Sequence, residues 1–252
     1  METISDVIVV GGGPCGSFAA LNLAKLGANV TVFEEHGEIG VPPHCTGHLS
    51  IKGLKKLGLY PLPAEIIENT FYGAVFHSPK GERFSVRLSQ PVTYVVNRIQ
   101  FDKYISEMAE NAGVKYYLSS RVESLIIDDG FVKGVTVQQY GKKAKKFLAK
   151  IVIDAEGISS RILRQTGLHP FDKHMFVNAA HVEVENVEDT EKDIVEIFLG
   201  KDYAPGFFAW LIPKPDGKAK VGLATKAGNP KELLQKLVSK HPIVSKKLDK
   251  AR

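Results

Sequence analysis

Cysteine is nearly absent. Cys15 and Cys45 are the only two among 252 residues, too few for a disulfide framework and suited to a reducing compartment. No stretch approaches the roughly 18 consecutive apolar residues of a membrane-spanning helix. The opening residues, Met1 to Asp6, carry neither the basic segment nor the apolar core of a secretory leader, so a cytoplasmic location is expected. There is no internal repeat, low-complexity tract or Ser/Gly-rich linker. No cluster of His, Cys, Asp and Glu has metal-ligand spacing, so His44 and His48 read as loop residues and no metal is expected. No nucleic-acid-binding signature accompanies the positive charge, which argues against nucleic acid as a partner.

What is present is ordinary in bulk. Hydrophobic residues make up 44% and charged residues 24%, as in globular proteins generally. The net charge of +5 is concentrated in Gly141–Lys146 and in the Lys-rich stretch from Lys231 to Arg252. Solvated surface is the plain reading of both. Peripheral contact with an anionic membrane or an acidic redox partner is the second.

Patterning gives an α/β order interrupted by β-rich segments. Strands are expected at Asp6–Val10 and Asn29–Glu34 around a helix from Ser17 to Leu26, closed by Gly27. A loop rich in Gly, Pro and His runs from His36 to Ser50, followed by a short helical stretch to Leu57. From Phe71 to Val96 the chain turns to β structure, with Pro79–Gly81 as a hairpin turn. Phe101, Tyr104, Ile105, Met108, Ala109 and Ala112 recur at helical spacing over Arg98–Ala112. Strands follow at 114–118, 122–127, 132–138 and 147–153. After them come a helix from Ser159 to Gln165, four more strands between Met175 and Thr225, and a basic helix from Pro230 to Ser239.

The densest motif is Val7-Ile-Val-Val-Gly-Gly-Gly-Pro-Cys-Gly16, a GxGxxG at Gly11, Gly13 and Gly16. Gly11 permits the tight strand-to-helix turn, Gly13 lets backbone amides approach a pyrophosphate, and Gly16 allows close helix–strand packing. The helix N-terminus offers free N–H groups and a partial positive charge to that anion. Glu34, closing the next strand, stands at the spacing of a ribose-binding acid and is favoured over Glu35 for that role. No second GxGxxG appears, and the β-rich segments after Glu34 do not continue the βαβαβ order of a nicotinamide-binding domain.

With these features and the loop Gly40-Val-Pro-Pro-His-Cys-Thr-Gly47 in view, the sequence resembles the geranylgeranyl reductase family, flavoproteins related to para-hydroxybenzoate hydroxylase. Three further landmarks carry the resemblance along the chain. Asn97-Arg-Ile-Gln-Phe-Asp102 is similar to the family's arginine motif, and Asp154-Ala-Glu-Gly-Ile-Ser-Ser-Arg161 to its Asp-Ala-x-Gly motif. Phe208-Ala-Trp-Leu-Ile-Pro-Lys214 matches a Tyr-x-Trp-x-Phe-Pro-Lys signature, with Phe208 in place of Tyr and Ile212 in place of Phe.

The resemblance implies an α/β fold in which an FAD-binding Rossmann-like domain, at 1–70 and 95–170, is interleaved with a β-sheet-rich substrate domain at 71–94 and 171–229. A basic helical tail would occupy 230–252. It implies FAD held by Gly11, Gly13, Cys15, Gly16, Glu34, Arg98 and Val122, with Asp154 and Gly157 beside the cofactor and Glu156 facing outward. Cys45, Thr46 and Gly47 would lie by the isoalloxazine ring, with Cys45 the candidate catalytic group as a buried thiol. Phe208 and Trp210 would line a pocket for a prenyl chain, and Lys214 reads as a solvent-facing charge. The implied reaction is FAD-dependent reduction of carbon–carbon double bonds in the geranylgeranyl chains of archaeal-type membrane lipids. Electrons would come from a transiently docked donor, NAD(P)H or ferredoxin-like. The family's Gly-Asp cofactor turn has no counterpart after Thr225, so the chain reads as lacking a C-terminal part. The alternatives are a monooxygenase or halogenase of the same fold, and a non-catalytic FAD-binding fragment.

Overall fold

The structure, a computed structural model, describes residues 5–169 and 172–250. In chain order its elements begin with β1 (Ser5–Val10), α1 (Pro14–Lys25), β2 (Val30–Phe33), β3 (His48–Ser50) and α2 (Ile51–Lys56). Next come β4 (Ile67–Phe71), β5 (Gly73–His77), β6 (Arg83–Arg87), β7 (Thr93–Val96) and α3 (Arg98–Asn111). The middle of the chain forms β8 (Lys115–Tyr117), β9 (Ser120–Asp128), β10 (Phe131–Gln139) and β11 (Lys145–Asp154). The last elements are β12 (Asn178–Val184), β13 (Ile194–Leu199), β14 (Phe208–Pro213), β15 (Ala219–Thr225), α4 (Pro230–Lys240) and α5 (Val244–Lys247).

Contacts divide the chain into two units. The first runs to His44 and resumes at Arg98; the second takes Cys45–Asn97 and resumes at Asp172. The family resemblance implies boundaries near 70 and 95 instead. Chain pairing moves them, because β3 and β4 both bond to β7 in one antiparallel sheet, ordered β3-β7-β4. That sheet keeps residues 48–71 with the second unit.

The first unit is a six-stranded sheet in the order β8-β2-β1-β11-β10-β9. β8, β2, β1 and β11 are parallel, and β9 to β11 form an antiparallel meander. β1 is apolar on both faces because both are covered, the usual origin of a continuous apolar strand. Val7 and Val9 pack with Ala20 and Leu21 of α1 and Ala109 of α3, while Ile8 and Val10 pack with Phe33, Val122, Val135 and Ile162. The helical spacing in α3 is realised: Phe101, Ile105 and Ala109 are buried, with Met108 and Ala112 packed beside them.

The second unit carries the sheet β12-β15-β14-β13-β5-β6, antiparallel except for the β13–β5 pair. The β5–β6 hairpin turns where Pro79–Gly81 predicts, with Gly81 N–H donating to the Ser78 carbonyl at 3.1 Å. The C-terminal segment is not a separate tail. Asn229 caps α4 by accepting from Lys231 N–H at 3.0 Å, with Pro230 in the first turn. Leu237 of α4 and Val244 of α5 then sit fully buried against Val221 and Leu223 of β15.

Local differences have local causes. α1 starts at Pro14 rather than Ser17, since proline suits the first helical position. The helix expected over 159–165 is two short 3₁₀ turns, Gly157–Ser159 and Leu163–Thr166. Ser160 between them is left-handed, with φ of 46°. The Glu156 carboxylate takes the N–H groups of Ile162 at 2.6 Å and Leu163 at 3.3 Å, and the Ser159 hydroxyl at 2.7 Å. Those bonds fix a turn where the pattern alone suggests a helix.

Candidate functional site

The first unit holds a cleft of about 340 Å³ where β1, β2 and β11 give way to their connections. Its floor is the glycine-rich turn. Gly11 has φ of 102°, and a Cβ there would stand 2.5 Å from the Ala155 carbonyl oxygen. At Gly16 a Cβ would meet the Gly11 oxygen at 2.0 Å, so α1 can lie this close to the strand only without a side chain. Ser17, fully buried, donates to the Gly12 carbonyl at 2.9 Å and holds the turn from behind. Gly13, the N-cap of α1, opens onto free space and brings no side chain to the helix N-terminus. Cys15 lines the same wall with an exposed thiol. Unshielded amides, a helix N-terminus and room beside them suit a diphosphate.

Glu34 follows β2 with only 9% exposure. One carboxylate oxygen accepts from Gly12 N–H at 2.7 Å; the other accepts from His36 N–H at 2.9 Å and meets His36 Nδ1 at 2.6 Å. Glu35 instead reaches toward Arg121 at 3.7 Å and is half exposed. The acid tied to the glycine turn is therefore Glu34, and one acceptor position, on the oxygen that meets Gly12 N–H, is left unused. Arg98, at the start of α3, lines the cleft while forming a two-point bond to Asp102 at 3.1 and 3.0 Å. Val122, buried in β9, has its carbonyl engaged by Arg161 Nη2 at 3.0 Å.

Ala155, Glu156 and Gly157 line the cleft, whereas Asp154 sits one residue outside it and accepts from Glu156 N–H at 3.1 Å. Partial desolvation pushes the Asp154 carboxyl above its ordinary range. Glu156 corrects the sequence reading. It turns inward onto its own loop instead of facing outward, because three donors within seven residues, the Ser159 hydroxyl and the Ile162 and Leu163 N–H groups, converge on its carboxylate. The sequence reading also passed over Ser17, Asp102 and Arg161. Arg161 ends the Asp-Ala-x-Gly motif, and its Nε is buried without a hydrogen-bond partner among the described residues.

The remaining expected site residues lie in the second unit. Cys45 is exposed rather than buried, with Gly47 N–H 3.5 Å from its sulfur. The thiol sits in an irregular loop, which offers it no packing partners of the kind a strand or helix would. Thr46 gives its carbonyl to Lys220 Nζ at 3.0 Å, and Gly47 is buried with φ of 84°. On β14, Phe208 stacks on Phe207 at 4.4 Å and meets Trp210 edge-on at 6.1 Å. The half-buried indole packs on Phe71, Val95, Val195 and Ile212. A Cβ at Gly222 would stand 2.7 Å from its ring, so that glycine makes room for it. Lys214 is not a free surface charge. It is 13% exposed and bonds Glu68 at 3.2 Å and Glu183 at 2.7 Å.

A family model described as an FAD binding domain matches residues 4–228. Among curated proteins, digeranylgeranylglycerophospholipid reductase 2 of Methanopyrus kandleri is 34% identical over 247 residues, covering 95% of this chain and 61% of that protein. The digeranylgeranylglycerophospholipid reductase of Methanocaldococcus jannaschii is 34% identical over 227 residues, covering 90% and 56%. This chain thus spans roughly three fifths of the curated relatives it matches, 61% and 56% in these two. A geranylgeranyl bacteriochlorophyll reductase-like structure from Thermoplasma acidophilum superposes with a TM-score of 0.90 at 30% identity, covering 99% of this chain and 64% of that one. A myxobacterial chondrochloren halogenase shares the fold at a TM-score of 0.81 and 20% identity, covering 99% and 60%.

Proposed function

Given that this chain belongs to the FAD-binding domain family, we propose that it is the cofactor-binding and substrate-facing portion of a flavin-dependent reductase of isoprenoid lipid chains. The observation that carries the reading is the likeness, at 34% identity over 95% of the chain, to digeranylgeranylglycerophospholipid reductases. Halogenases share only the fold, at 20% identity. The cleft supports the cofactor half of the reading. Gly13, Cys15 and the start of α1 receive the diphosphate, Glu34 takes the ribose, and Arg98 and Val122 border the adenosine side.

An isolated alkene has no neighbouring carbonyl to hold developing charge, so its reduction needs a hydride at one carbon and a proton at the other. FAD, once reduced by a transiently docked donor, supplies the hydride chemistry. The protein's own task is to orient the chain, exclude water and deliver the proton. Cys45 is assigned to the proton: its thiol is accessible and its sulfur is addressed by Gly47 N–H. Phe208 and Trp210 give a flat apolar surface for the prenyl chain. Among the described residues no helix is long and apolar enough to cross a membrane.

The test is anaerobic turnover of a digeranylgeranyl lipid by the FAD-loaded, dithionite-reduced protein, read by mass as two hydrogens gained per double bond. Cys45→Ala is expected to lower the rate about 100-fold, the usual scale for removing a general acid, with bound FAD unchanged. Full activity in that variant removes Cys45 from the mechanism. Retained FAD, no mass gain and oxygen-dependent modification of an aromatic substrate would replace the reductase with the halogenase reading.

A further inference from the structure

Lys220 is a cation in an almost closed place. It lies in β15 with 9% exposure. A buried ammonium needs a counter-charge and acceptors for its protons. Glu68, just before the middle of β4, is the counter-charge, with its Oε2 2.5 Å from Lys220 Nζ. The second acceptor is the main-chain carbonyl of Thr46 at 3.0 Å. Glu68 gives its other oxygen to Lys214 at 3.2 Å, and Lys214 continues to Glu183 at 2.7 Å. One line of charge-assisted bonds therefore runs Thr46, Lys220, Glu68, Lys214, Glu183.

The Lys220–Glu68 bond joins β15 to β4, and Lys214, one residue past β14, extends the line to Glu183 of β12. The bond to Thr46 is different, because it ends on irregular backbone next to Cys45. The Thr46 carbonyl and the Gly47 N–H are two ends of one planar peptide. Lys220 holds the oxygen end, and the N–H end points at the Cys45 sulfur at 3.5 Å. The following carbonyl, of Gly47, is fixed separately by Val96 N–H at 3.0 Å. A rotation of the Thr46–Gly47 plane would break the Lys220 bond and turn the N–H away from the thiol together.

The geometry points to Lys220 as a positioning residue for Cys45: its ammonium clamps the Thr46–Gly47 peptide so that Gly47 N–H faces the sulfur. This rests on the reading of Cys45 as the proton-delivering group. Lys220→Met keeps the aliphatic stem and removes the clamp; Glu68 then keeps Lys214 as its ion-pair partner, which it shares with Glu183, and the cluster moves from net zero to one negative charge. Lys220→Arg retains donors for both Glu68 and the carbonyl.

The experiment uses the FAD-loaded protein and two readouts, amide hydrogen exchange over residues 45–48 and steady-state reduction of a digeranylgeranyl lipid. Lys220→Met is expected to exchange the Gly47 amide about tenfold faster and to lose about tenfold in kcat with KM and bound FAD nearly constant, the pattern of a misplaced reacting group. Lys220→Arg restores both. If kcat and KM worsen together with a falling Tm and Lys220→Arg gives no rescue, the residue is merely structural and the proposal fails. It also fails if exchange or kcat in Lys220→Met matches the wild type. Should Lys220→Met not fold, Glu68→Gln weakens the same clamp and is expected to give the same pattern at smaller amplitude; an unchanged Gly47 amide there overturns the proposal. A wild-type protein inactive on the lipid would sink the reductase reading instead, and the exchange arm would still decide the clamp.

Discussion

At the scale of single residues, a side chain here is held either by neighbours within one βαβ unit or by partners far along the chain. Gly11, Gly13, Gly16 and Glu34 are spaced along one βαβ unit, so their shared geometry is written in short sequence intervals. Lys220 and Glu68 are 152 positions apart, and nothing in either neighbourhood announces the partner. The same holds for Arg161 on the Val122 carbonyl, 39 positions away. Tyr116 is another such case, a strand residue whose burial pushes its phenol up to about 12, offset only in part by the neighbouring Ser17 hydroxyl. In the unfolded chain a tyrosine ionises near 10. Between those values the native state keeps a proton that the unfolded state has released, so stability is full below pH 10 and falls as pH rises toward 12. Denaturation midpoints at pH 9 and pH 11 test this, with Tyr116→Phe as the control. An identical alkaline loss in Tyr116→Phe would mean that another group is responsible.

At the scale of elements, periodicity succeeded where packing agreed with it and failed where side chains took over the backbone. α3 was readable because Phe101, Ile105 and Ala109 are all buried, Ala109 against β1 and β2. The stretch after Asp154 was not, since Glu156 captures the amides that a helix would leave for itself. α4 was readable as a helix but misread as a tail, because its many lysines masked the apolar stripe through Leu233 and Leu237. Leu237 is fully buried, so Leu237→Ala should cost about 2–5 kcal/mol, seen as a lower urea midpoint. A loss under about 0.5 kcal/mol, the range of surface substitutions, would mean that α4 rests loosely on β15.

At the scale of the whole molecule, the alternation of α/β and β-rich segments announced two interleaved bodies, and the fold has them. Their boundary was harder, because Cys45–Asn97 is assigned by strand pairing with β7 and not by any change in composition. A dinucleotide-binding identity was legible from one turn; the charged line that ends on the Thr46 carbonyl was not, since it exists only once β4, β12, β15 and the segment after β14 are assembled.

The place of β1 between β2 and β11 has a temporal consequence. A ribosome delivers Ser5–Val10 and Val30–Phe33 early, yet the other neighbour, Lys145–Asp154, emerges more than a hundred residues later. Until then the glycine-rich bend lacks Ala155, whose carbonyl packs against Gly11. Nascent chains stalled with residue 140 outside the exit tunnel should therefore leave the first strand open to protease, and chains stalled with residue 170 outside should protect it. Cofactor capture by the glycine turn, as proposed, would then wait for β11, made more than a hundred residues after the turn itself.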